Sequence, residues 1–148
     1  MRYEWSKLNP LQKGRYAEYY TKMAFTSYGY EVYTSEVDDR GIDFVVRKEP
    51  GEFLEVQVKS VTGNNYSFIE KSKFKMSDRF IVLLVRFIEG EEPQMYLFRG
   101  TDWNGNIQFL VGHDYVGKNS KPEYGINLSN KNYNELMKFE FNQRIISI

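Results

Sequence analysis

From Leu54 to Lys59 aliphatic and polar side chains alternate without a break: Leu54, Val56 and Val58 against Glu55, Gln57 and Lys59. Successive side chains of a β-strand point to opposite faces, so Phe53, Glu55, Gln57 and Lys59 share one face and the aliphatic set the other. The aliphatic set explains how such a strand is buried. A carboxylate, an amide and an ammonium aligned on the other face, with Asp43 one strand earlier, make a pattern suited to a metal ion and a phosphate.

Around this strand the chain reads as α/β. Asn9-Pro10 starts a helix, with Asn9 as cap, Pro10 pre-shaped for the first helical position and Gln12 placed for a capping box. Tyr16, Ala17, Tyr20, Met23 and Ala24 fall at helical spacing and predict a buried stripe, and Gly29 closes the helix. Strands are expected at 30–35, 42–47 and 53–60, with Asp38-Asp39-Arg40-Gly41 as a turn and Glu49-Pro50-Gly51 as a hairpin loop. A short strand at 67–70 and a helical turn or two from Lys73 come next. Phe80–Phe87 and Gln94–Arg99 are further strands. After Trp103 the chain is rich in Gly and Asn and shows no pattern until a last helix at 131–138.

At 148 residues, with no repeat or linker, the chain is most simply one domain spanning 1–148. Formal net charge is zero, whereas a protein that coats nucleic acid is basic; any DNA contact must be local. The absence of cysteine removes disulfides, thiolate nucleophiles and Cys-based zinc sites. The start carries no signal-like apolar stretch, and the apolar run Phe80–Val85 is too short to span a bilayer. A cytoplasmic protein without membrane contact is the expectation.

Hairpin register decides whether Asp43 joins the polar face. A three-residue loop with Gly51 in the left-handed position pairs Lys48 with Glu52 and sets Asp43 opposite Gln57. A loop one residue shorter sets Asp43 opposite Val58, on the wrong face. With the first register the chemistry fits a hard divalent cation, Mg²⁺ or Mn²⁺, which prefers oxygen ligands. Asp43 offers a carboxylate, Gln57 an amide oxygen and Val58 a backbone carbonyl, while Lys59 reaches a phosphate oxygen or the attacking water.

These residues resemble a known family. Asp43 followed by Gln57-x-Lys59 is similar to the signature of the PD-(D/E)XK nuclease superfamily, in the Gln-x-Lys form of Mrr-like restriction enzymes. Gly14-Arg15-Tyr16-Ala17-Glu18 resembles the Gly-x-x-x-Glu segment of archaeal Holliday-junction resolvases, and Val56-Gln57-Val58-Lys59-Ser60 resembles a bacterial branch of the superfamily. The similarity covers residues 11 to about 87; the C-terminal third matches no motif. It implies a restriction-endonuclease-like core, a mixed central sheet flanked by helices, and a Mg²⁺-dependent endonuclease that hydrolyses DNA. Glu18, Asp43 and Gln57 would hold the metal and Lys59 would act on water or phosphate. Glu55, roughly 6.5 Å along the strand from Gln57, would stand behind the ligands. Arg15 and Lys22 flank Glu18 and would contact phosphates, and a homodimer would serve to cut both strands. Ile42 stands where the superfamily signature has a proline, and Gln57 replaces an acid, which removes a negative charge from the metal site.

Plainer readings compete. The Glu55–Lys59 face is also what a solvated face of an antiparallel sheet looks like. Lys71, Lys73, Lys75 and Arg79 are more simply a solvated run than a phosphate track, and His113, the single histidine, is by default a loop residue. Gly117-Lys118 lacks the spacing of a phosphate loop. The alternative function is a degenerate module that keeps the fold for nucleic-acid or protein binding; divalent-metal binding separates it from an enzyme.

Overall fold

The computed structural model describes residues 2–36 and 40–148; the expected turn at Asp38 and Asp39 lies outside them. Helix α1, Pro10–Ser27, begins with a complete capping box: the Asn9 side chain accepts from the Gln12 N–H, and the Gln12 side chain accepts from the Asn9 N–H. Two orphan donors of the first turn are thereby satisfied, and Pro10 contributes none. The buried stripe runs through Ala17, Thr21 and Phe25, with Tyr16, Tyr20 and Ala24 half-buried beside it. Met23, expected in the stripe, is 64% exposed; it stands two residues from Thr21, about 200° around the helix.

Eight strands follow among the described residues: β1 Glu31–Tyr33, β2 Phe44–Arg47, β3 Leu54–Thr62, β4 Ser67–Glu70, β5 Phe80–Phe87, β6 Gln94–Arg99, β7 Leu110–His113 and β8 Glu123–Ile126. Five make a mixed sheet in the order β1-β2-β3-β5-β6, in which β3 and β5 run parallel and the other neighbours antiparallel. The remaining three form a second, antiparallel sheet in the order β4-β8-β7. Two short helices, α2 Tyr133–Met137 and α3 Phe141–Arg144, close the chain.

β5 is buried at every position except Arg86, as a central strand covered on both faces must be. On one side Val56, Ile81, Leu83 and Leu97 pack with Phe25 of α1, Phe44 and Phe141. On the other, Val82, Leu84 and Phe98 meet Ile69, Phe109, Ile126 and Leu128. The second flank thus differs from the expected helix. From Lys71 to Arg79 only Phe74 and Met76 are apolar, too few for a helical stripe. One three-residue 3₁₀ turn, Lys71–Lys73, forms there, and the small sheet supplies the covering layer. Among the described residues no helix is long and apolar enough to cross a membrane.

Candidate active site

The β2–β3 register pairs Phe44 with Val56, Val45 with Glu55 and Val46 with Leu54. The ladder ends at the Phe44–Val56 pair, and just before it the Asp43 side chain lines the same cavity as Gln57. The Asp43 N–H donates to the Val56 carbonyl at 2.9 Å, and the Asp43 carboxylate accepts from the Val58 N–H at 2.7 Å. The loop that produces this register closes without a left-handed glycine. Gly51 is not among the residues of positive φ; its N–H donates to the Lys48 carbonyl across a cis Glu49–Pro50 peptide.

α1 covers the sheet face that carries Phe44, Val56 and Val58. Asp43, Gln57 and Lys59 project from the other face, beneath β4, and line a cavity of about 300 Å³ with Glu70 and Lys73. Gly41 forms the rim: its φ is +74°, and a Cβ there would lie 2.9 Å from the Lys73 Cβ, so the backbone passes Lys73 only as glycine. A larger cleft of about 540 Å³ near Tyr30, Lys48 and Arg99 holds no such buried polar set.

Gln57 is 9% exposed, and its Oε1 is buried with no hydrogen-bond partner. Buried acceptors are rarely left so, because an unmade bond costs about 1–3 kcal/mol. Gln57 and Asp43 line the same cavity, and an amide oxygen with a carboxylate is the donor chemistry a hard divalent cation takes. The Val58 carbonyl shares the side of the strand from which the Val58 N–H reaches Asp43. Among the described residues no three His, Cys, Asp or Glu side chains converge to hold a metal ion.

Burial pushes the Lys59 ammonium below its ordinary pKa and neighbouring Lys73 adds to this, while Asp43 and Glu70 pull it back up. Among the described residues neither Lys59 nor Lys73 has an ion-pair partner within 4 Å. The other members of the basic run are neutralised: Lys71 by Asp114 at 2.7 Å, Lys75 by Glu55 at 2.5 Å and Arg79 by Glu52 at 3.7 Å. Glu55 therefore faces a neighbouring cleft with Lys75 rather than the cavity. Glu18 is not a wall of the cavity either. It sits on α1, beside Lys22 at 3.2 Å and Arg15 at 3.9 Å, and Lys22 lies over the Phe44 ring. The structure brings Asp43, Gln57 and Lys59 together and leaves Glu18, Arg15 and Lys22 on the helix side. It adds Glu70 and Lys73, whose sequence signal is weak: they end a four-residue strand and a single 3₁₀ turn of the second layer.

No protein-family model and no curated protein matches this chain. Among solved structures, the bacterial homing endonuclease I-Ssp6803I is similar over 94% of this chain and 92% of its own, at 16% identity and a TM-score of 0.57. The Holliday junction resolvase Hjc of Archaeoglobus fulgidus aligns over 78% of this chain and 84% of its own, at 12% identity and a TM-score of 0.49. The likeness to the homing endonuclease shows the fold: an α/β, restriction-endonuclease-like architecture.

Proposed function

We propose that the protein is a Mg²⁺- or Mn²⁺-dependent nuclease that hydrolyses DNA phosphodiester bonds in the Asp43–Gln57–Lys59 cavity. The observation that carries this reading is that Gln57, which lines the cavity together with Asp43 and Lys59, has its Oε1 buried without a hydrogen-bond partner. Asp43 and Gln57 would hold the ion, with Glu70 as a further carboxylate on the cavity wall. Bound there, the ion supplies electrostatic stabilisation of charge that builds on the phosphoryl oxygens.

The chain's own groups do the rest. The Val58 N–H fixes the Asp43 carboxylate in one orientation. Lys59, half-buried and without a salt-bridge partner among the described residues, donates to a non-bridging phosphate oxygen. Lys73 meets the same phosphate or its neighbour from the β4 side of the cavity. From the cavity wall the Lys59 ammonium can also orient the attacking water.

Purified protein with Mn²⁺ or Mg²⁺ should cleave at least one member of a set of labelled single-stranded, duplex and branched DNAs. Asp43→Asn and Lys59→Met should each lower the rate at least 100-fold, with melting temperatures close to wild type. Cleavage that survives both substitutions would overturn the assignment. The absence of three convergent His, Cys, Asp or Glu side chains among the described residues favours a second reading, a module that binds DNA without cutting it. In that case calorimetry should detect no Mn²⁺ binding.

A further inference from the structure

Four rings stand in file across the outer face of the second sheet, starting at the cavity wall. Phe68 of β4 lines the cavity and stacks beside Tyr66, centroids 6.0 Å apart and planes 19° from parallel. Tyr66 neighbours His113 of β7 at 6.4 Å, and His113 stacks with Tyr115 at 5.4 Å and 29°. The row is anchored from below. Tyr66 crosses β8 at Gly125, where a Cβ would lie 1.9 Å from its hydroxyl oxygen, and that hydroxyl donates to the buried carboxylate of Glu123.

From above three of the four rings are open and Tyr115 is half-buried: Phe68 is 48% exposed, Tyr66 40%, and His113 is exposed. Side chains this large, fixed in position yet left in water, contribute little to the core that β4 and β8 build on their inner face. At the cavity end of the row stand Lys73 and Lys59, the two lysines without ion-pair partners among the described residues. Aromatic faces continuing into two lysines that hold no close ion pair among the described residues fit a chain that carries flat apolar groups on an anionic backbone.

We propose that this row is a stacking platform for unpaired nucleotides, and that the site acts on single-stranded DNA or on the single-stranded part of a branched one. The proposal rests on reading the cavity as a nuclease site and names its substrate class. Bases in a duplex have both faces covered by their neighbours, so exposed rings gain from them only when they leave the stack. In a single strand every base offers a face, and each base stacked on an aromatic side chain contributes about 1–3 kcal/mol.

The test is fluorescence anisotropy with a labelled oligo-dT strand and a duplex of equal length, in EDTA so that nothing is cut. Wild-type protein should bind the single strand more tightly than the duplex. Phe68→Ala should weaken single-strand binding about 10-fold, equal to about 1.4 kcal/mol, and leave duplex binding unchanged; Phe68→Trp should restore it. His113→Ala, further from the cavity, should cost less. Equal affinity for both DNAs, or a single-strand affinity unmoved in Phe68→Ala, overturns the proposal. So does sedimentation showing that Phe68→Ala dissociates a dimer without changing DNA affinity, since the face would then belong to a second copy of the chain. Because binding is read without metal, a protein that binds strands but never cuts them refutes the nuclease reading alone.

Discussion

Gln57 concentrates the chemistry of the site in one atom. A neutral amide beside Asp43 keeps a third carboxylate out of the cavity that Asp43 and Glu70 already line; crowding like charges raises the pKa of one of them when no cation is present. Gln57→Glu keeps the volume and adds that third carboxylate. Without divalent ions the variant should melt below wild type, because the new carboxylate is desolvated beside Asp43. With Mn²⁺ its melting temperature should rise more than that of wild type. Saturation at about 100 times the dissociation constant stabilises the folded state by about 2.7 kcal/mol, or about 5–10 °C for a chain of this size. Equal Mn²⁺-induced shifts in the two proteins would show that Gln57 does not touch the ion. The position was legible in the sequence because one strand alternates cleanly and one hairpin sets its register. Glu18 read as a partner because its helix was legible as well, yet spacing along a helix does not say which face of a sheet that helix will cover.

The long elements announced themselves through repetition: the capped helix from Asn9, the continuous apolar run of β5, and the alternation of β3. β7 and β8 did not, since four residues each in a Gly- and Asn-rich segment hold too few periods to register. With them the second sheet, the cavity wall that Glu70 and Lys73 provide, and the ring row all escaped sequence reading. Gly125 shows how tightly these short strands are nevertheless specified. Gly125→Ala must expel the Tyr66 ring and break the hydrogen bond by which its hydroxyl, beside that of Tyr115, reaches the buried Glu123. An unpartnered buried group costs about 1–3 kcal/mol, so melting should fall by about 2–12 °C, and single-strand affinity should fall with it. Thermal melting and anisotropy on the same preparation check both. A loss of stability with full DNA affinity would separate Tyr66 from the platform.

At the scale of the molecule, the site lies where two sheets meet. Asp43, Gln57 and Lys59 come from the five-stranded sheet, and Glu70 and Lys73 from the three-stranded sheet and the turn that leaves it. With formal net charge zero, attraction for a polyanion depends on this junction and not on the surface at large. The same geometry gives Asp43 a second task. β2 begins at Phe44, whereas β3 continues to Thr62, and among the described residues no strand pairs with β3 on that side beyond Val56. Among the described residues the stretch from Gln57 onward thus has no neighbouring strand on that side, and unpaired strand margins recruit other chains. The Asp43 carboxylate occupies the first free donor there, the Val58 N–H, in place of a neighbouring strand. Removing it with Asp43→Ala should release that donor and bring on concentration-dependent association, visible by light scattering. Asp43→Asn, which keeps an acceptor oxygen, should stay monodisperse. The residue proposed to open a phosphodiester bond would then also be the one that keeps copies of the protein from adding strands to one another.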